Sequence, residues 1–117
     1  GGHPEWETGH VLIGRSDKDQ IRFDTNRQDI IGLIGTPEIF PDPNGDVALS
    51  PDGTLFVNGH TRSGKNYYTI LRRRDGTWTR TVRIDPSPCW NRFSNQILTV
   101  AVGEDKSRQL QLISILP

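Results

Sequence analysis

One tight turn, written three times, constrains this chain more than any other feature. Its clearest copy is Ser50-Pro51-Asp52-Gly53-Thr54, set between the apolar runs at 47–49 and 55–57. Proline pre-sets the first corner of a turn, aspartate can bond its own backbone, and glycine accepts positive φ, so the unit reads as a β-hairpin. A degraded copy stands upstream, His3-Pro4-Glu5-Trp6-Glu7-Thr8-Gly9-His10-Val11-Leu12-Ile13. Another stands downstream, Pro88-Cys89-Trp90-Asn91-Arg92-Phe93-Ser94-Asn95-Gln96-Ile97-Leu98. The offsets are about 44 and then about 42 residues, which matches architectures that repeat a sheet of several strands every ~40–50 residues.

Around each copy, strand-like runs alternate with turn signals, and no stretch shows helical periodicity. The first repeat predicts strands at 3–6, 11–15, 21–25 and 30–34, followed by a long loop at 35–45 that holds Pro37, Pro41 and Pro43. The second predicts strands at 46–50, 55–58, 66–73 and 77–84, with Arg74-Asp75-Gly76 closing the last hairpin. Within it Tyr67, Thr69 and Leu71 should share one face, and Tyr68, Ile70 and Arg72 the other. The third offers strands at 89–92, 96–102 and 109–116, and a fourth strand is missing. The fold expected is therefore all-β, a partial β-propeller of about two and three-quarter four-stranded blades. Blade one spans 1–45, blade two 46–87 and the incomplete blade three 88–117. Such a piece suits the C-terminal part of a seven-bladed ring, with the remaining blades and the missing strand supplied by another chain or segment. Closure of a ring from several copies of the chain is the other way to satisfy its open edges.

Composition narrows the partners. The chain has 117 residues, enough for one domain, with 32% hydrophobic residues and 12 Gly plus 8 Pro, as in a turn-rich all-β protein. Its 14 basic and 14 acidic residues balance, which leaves no global field to attract nucleic acid or an anionic membrane. No apolar run approaches the ~20 residues that span a bilayer, so no membrane insertion is expected. The single cysteine, Cys89, excludes an internal disulfide and a multi-cysteine zinc site, and it is expected to pack as a small apolar group beside Trp90. The sequence leaves the compartment open, with the periplasm or secretion slightly favoured over the cytoplasm.

Propeller ligands meet the face where the connections between blades and the second-to-third-strand turns converge. His3 and Glu5 fall at the start of an innermost strand on that face, and Asp46 holds the equivalent place in the next blade. His60 should end the second strand of blade two and enter a loop at 59–65 on the same side, whereas His10 lies at the opposite end. His3 with His60, joined by Asp46 or Glu5, is the candidate metal or acid–base cluster. The plainer alternative makes His3 a hydrogen-bonding residue between blades and His60 a polar loop residue, because two histidines at no fixed spacing are a weak signal. Arg15, Asp17 and Lys18 fall in the corresponding turn of blade one, and Lys106 and Arg108 in that of blade three. Gly59-His60-Thr61-Arg62-Ser63-Gly64-Lys65 approaches a phosphate-binding loop, but Asn66 stands where Ser or Thr would be and a tyrosine-rich strand follows where a helix is needed. Asp42-Pro43-Asn44-Gly45-Asp46 reads as a turn rather than a calcium loop, since Gly53 occupies the position of the bidentate glutamate. Trp6 and Trp90 take matching places, as does Leu49 in blade two, and should fill the space between blades. Arg72-Arg73-Arg74 reads as a solvated outer edge.

The segments His3-Pro4-Glu5-Trp6, Ser50-Pro51-Asp52-Gly53, Trp90-Asn91-Arg92 and Ser107-Arg108-Gln109-Leu110 resemble TolB-type, WD40-like propeller repeats. Within that group they resemble most the bacterial propellers related to oligogalacturonate lyases. The resemblance covers nearly the whole chain, and its motifs specify blades rather than chemistry. It implies a seven-bladed ring, one divalent metal (manganese or calcium) held by histidines and a glutamine near the channel, and β-elimination on an acidic sugar. Only His3 and His60 match that ligand pattern here, and no Gln–His–His set is present. The expectation is a propeller segment that binds or processes a carbohydrate, as in a metal-assisted uronate lyase. His3, His60 and Asp46 would then serve as metal ligands, His3 and His60 as ligand or base, and Arg15, Lys65, Arg108 and Tyr67 would meet an acidic oligosaccharide. The alternative is a non-catalytic propeller module for protein or glycan binding, completed by another segment.

Overall fold

The computed structural model describes residues 4–41, 45–83, 88–102 and 108–115. Its strands form three antiparallel sheets, and there is no helix among the described residues. The first sheet runs β1 (Glu5–Trp6), β2 (Val11–Ser16), β3 (Asp19–Asp24), β4 (Asp29–Leu33), each strand beside its predecessor. The second runs β5 (Val47–Leu49), β6 (Leu55–Arg62), β7 (Lys65–Arg72), β8 (Trp78–Arg83) in the same way. The third holds β9 (Cys89–Trp90), β10 (Gln96–Val102) and β11 (Arg108–Ser114). The chain is all-β, an open stack of sheets, and no closed ring forms among the described residues.

The threefold turn survives as one repeated backbone bond. Glu7 N–H reaches the Val11 carbonyl at 2.8 Å, Ser50 that of Leu55 at 2.8 Å, and Asn91 that of Gln96 at 3.0 Å. Registers agree as well, with Trp6 opposite Leu12, Leu49 opposite Phe56, and Trp90 opposite Ile97. Because side chains alternate across a strand, this common register gives every sheet the same two faces. Leu49, Phe56 and Leu71 pack back onto sheet one against Ile13 and Ile34. Trp90 and Ile97 pack back onto sheet two against Ala48, Val57, Tyr68 and Ile70. The first strands lie side by side, β1 against β5 and β5 against β9. Burying each of these large side chains contributes roughly 1.5–3 kcal/mol, so the two inter-sheet seams hold the molecule together.

Three local expectations change. The second strand of sheet two continues to Arg62 because Ser63 and Gly64 both take positive φ, 52° and 76°. That pair makes the two-residue turn whose twist suits a hairpin, so 59–65 is strand, turn and strand instead of a loop. The proline-rich stretch after β4 contributes core: Thr36 accepts from Phe40 N–H at 2.9 Å, and this turn drives Ile39 and Phe40 between the sheets. The Phe40 ring meets Phe56 edge-on at 5.6 Å. Trp6 and Cys89 are exposed instead of packed, because each stands on the face of an end sheet that no neighbour covers among the described residues.

Gly45 leads into β5 so close to β6 that a Cβ there would be driven into the Gly59 carbonyl oxygen. Backbone cannot yield as a flexible side chain does, so Gly45→Ala should destabilise the fold by at least about 3 kcal/mol, the upper end of ordinary overpacking. Gly9→Ala, whose Cβ meets nothing within 4 Å, should change stability by less than about 0.5 kcal/mol. Paired urea melts of the two variants check both values.

Candidate functional site

The longer β6 changes which side chains meet. Its alternation places Phe56, Asn58 and His60 on the face toward sheet one. Their cross-strand partners on β7 are Leu71, Thr69 and Tyr67, and beyond those on β8 stand Trp78, Arg80 and Val82. A polar cluster therefore sits at the sheet-one side of sheet two, composed of Asn58, His60, Thr69 and Arg80. His60 Nε2 lies 3.1 Å from Thr69 Oγ1, and Arg80 Nε donates to the same oxygen at 2.8 Å. The Tyr67 ring stacks on His60 with centroids 5.7 Å apart. Asn58, His60 and Thr69 are at most 1% exposed.

This arrangement positions more than it reacts. A hydroxyl has one proton and two lone pairs, so Thr69 can serve His60 and Arg80 together. Arg80 also donates from Nη2 to the Ile39 carbonyl at 2.6 Å and lays its guanidinium 4.9 Å over Trp78. The cluster thus ties the 36–40 turn to sheet two. A bound cation beside His60 would face the Arg80 guanidinium through one shared hydroxyl, which does not suit a metal ligand. Among the described residues no three His, Cys, Asp or Glu side chains gather as a metal cluster. The Asn58 amide is fully buried, and neither its Oδ1 nor its Nδ2 meets a partner among the described residues. Leaving such a group unpaired costs about 1–3 kcal/mol, so it marks a gap in the seam that a water could fill.

The remaining candidates are dispersed. His3, Lys106 and residues 42–44 of the supposed calcium-like loop lie outside the described residues. Asp46 is half-buried and uses its carbonyl to accept from Gly59 N–H at 2.7 Å. Glu5 stands on the sheet-one face that meets sheet two. Burial pushes its carboxyl up, while the Leu49 N–H draws it down. Arg15 is exposed near the end of β2 and donates to the Asp17 carbonyl at 2.9 Å, and Lys18 follows in the same turn. Lys65 is exposed at the start of β7, two residues before Tyr67. Arg108 is placed as the first residue of β11, opposite Val102. His10 precedes β2, at the opposite end of its strand from the β2–β3 turn, so it cannot join His60.

The opposite end of the stack carries a charge cluster of which the sequence reading addressed only Arg73, as part of a solvated run. Glu7 follows β1 and is almost buried. Its Oε2 accepts from Arg22 Nε at 3.0 Å and Nη2 at 2.8 Å, and its Oε1 accepts from Arg73, just past β7 of sheet two, at 2.5 Å. Arg73 also donates to the Gly53 carbonyl at 3.0 Å, so the middle of the Arg72–Arg74 run is a cross-sheet tie and not a solvated edge. Burial alone would raise the Glu7 carboxyl, but the two guanidiniums overcome it and hold it below its ordinary 4.5. In the central turn, Thr54 and then Ser50 and Ser94 bond to Asp52 and bring its carboxyl from 3.8 to about 2. An open cleft of about 450 Å³ beside the Glu7 tie is walled by Leu33, Ile34, Ile39, Leu71, Arg22 and Arg73.

Against protein-family models, curated proteins and solved structures, the chain finds no match.

Both lowered carboxyls stabilise the fold above their unfolded values, and that contribution is lost as pH falls through the folded values. Glu5, raised instead, works the other way and softens the loss. Glu7→Gln should cost about 1–3 kcal/mol at neutral pH, because two guanidiniums lose their anion. The penalty should shrink at acid pH, as the parent carboxyl takes up its own proton. Denaturant melts of parent and variant at neutral and acid pH check it.

Proposed function

We propose that the chain is a run of consecutive β-propeller blades working as a non-catalytic module for protein or glycan binding. Blades one and two are then the two four-stranded sheets, and the incomplete blade three is the third. The supporting observation is that one sheet-to-sheet step occurs twice. Each step carries the first strand alongside the next first strand, and each buries the face that starts with Leu49 or Trp90 against the sheet before it. Polar ties cross both seams as well, with different partners in each. Trp90 Nε1–H donates to the Ala48 carbonyl at 3.0 Å, Asp52 N–H to Ser94 Oγ at 3.0 Å, and Arg73 to Glu7 one sheet earlier. Repeating a constant step around an axis is how propellers are built.

The binding reading is preferred to the lyase reading for a reason that rests on His60. A uronate lyase needs a base or a metal within reach of a sugar carbon, and His60 is 1% exposed and bonded to Thr69. The turns Asp17-Lys18 and Ser63-Gly64, with Arg15, Lys65 and Tyr67 beside them, then form a rim that can meet an acidic ligand without cleaving it.

Elemental analysis of the purified chain, followed by absorbance at the unsaturated-uronate band with pectic and algal uronates, separates the two. The expected result is no stoichiometric metal and no rise in absorbance. One metal per chain together with a rising band would overturn the binding reading.

A further inference from the structure

Both end sheets present a bare apolar face. On sheet one, Trp6, Ile30 and Leu33 are 58%, 49% and 57% exposed, and on sheet three Leu98, Leu110 and Leu112 are 37%, 76% and 58% exposed. These are not arbitrary patches. Trp6, Leu12 and Phe23 hold the register positions of Leu49, Phe56 and Leu71, which bury against sheet one. Cys89, Leu98 and Leu112 hold those of Ala48, Val57 and Ile70, which bury against sheet three. One chain therefore carries both halves of the contact that already joins its own sheets.

We propose that a second copy of this chain docks head to tail, with its third sheet seated on the bare face of sheet one. Trp6 is the anchor of that contact. Inside the chain the Trp90 indole N–H reaches the Ala48 carbonyl at 3.0 Å. Trp6 holds the place of Trp90, and Cys89 holds the place of Ala48, so the Trp6 indole meets the Cys89 carbonyl of the second copy. The contact is heterologous, and such contacts either close into rings or grow without limit. The three sheets of the described residues, doubled in two copies, give six, within the roughly four to eight blades that close a propeller, whereas three copies would exceed it. The closed form is thus a dimer. This rests on the blade reading above.

Light scattering on the chain in solution should give about twice its 13.2 kDa mass, and a monomer at every concentration would overturn the proposal. Trp6→Asp and Leu112→Asp each spoil one face, and each alone should leave monomers. Mixing the two variants should restore a dimer, because one pair of intact faces remains. If Leu112→Asp stays dimeric while Trp6→Asp does not, like faces meet and the head-to-tail contact is wrong. Dimers of both variants, or no recovery on mixing, would also refute it. Circular dichroism confirms folding; should either variant unfold, Leu33→Lys and Leu110→Lys carry the same comparison. Open-ended growth with concentration, abolished by either variant, would uphold the contact and remove the closed ring, and with it the blade reading.

Discussion

Each sheet of the described residues carries large apolar side chains on both faces, and the rest of the structure follows from that. Antiparallel sheets commonly bury one face and wet the other. Here sheet two contributes Phe56 and Leu71 to one seam and Val57 and Ile70 to the next, so it is stable only between two neighbours. The turn at 36–40 is shaped by the same demand. Ile39 and Phe40 enter the first seam because the step from sheet to sheet leaves a wedge that strands alone do not fill. Dense packing tolerates no such void.

Hydrophobic contact is non-directional, and polar ties set where one sheet lies on the next. Glu7 holds Arg22 of its own sheet and Arg73 of the following one, which fixes the first seam at the turn end. The second seam is fixed by Trp90 on Ala48, Ser94 on Asp52, and Tyr68 on Thr99 at 2.9 Å. Slippage by one residue would turn every apolar side chain the wrong way and also break these bonds. Each seam thus carries both adhesion and register.

The repeat and the strand order were legible because turn chemistry is local. Pro51, Asp52 and Gly53 announce their hairpin within five residues, and the alternation on β7 follows from sequence directly. What escaped depends on contacts between distant residues. Ser63-Gly64 turns tightly enough to lengthen β6, and that moved His60 from a loop into a strand. Nothing adjacent to Glu7 or Arg73 in the sequence names the other as partner, since they are 66 residues apart. Asn58, Thr69 and Arg80 were missed for the same reason, although the phase of Phe56, Asn58 and His60 would have placed them together had β6 been read at full length. The packing expected of Trp6 and Cys89 holds for an inner sheet such as sheet two, and it fails here because these residues lie on the outer faces of the end sheets.

The buried polar cluster bears on function through what it costs. Asn58 with both amide atoms unpaired works against stability, and an apolar residue of the same shape would remove that cost. Such a group makes sense if it serves specificity. An amide facing Thr69 and Arg80 penalises any sheet pairing that would press it against hydrocarbon, as one buried asparagine can fix the register of a coiled coil. His60 belongs to the same seam, bonded to Thr69 and stacked on Tyr67. Sheets this alike in pattern could stack in the wrong order, and polar groups unique to the first seam distinguish it from the second. The asparagine and histidine of β6 therefore mark the first seam as chemically different from the second.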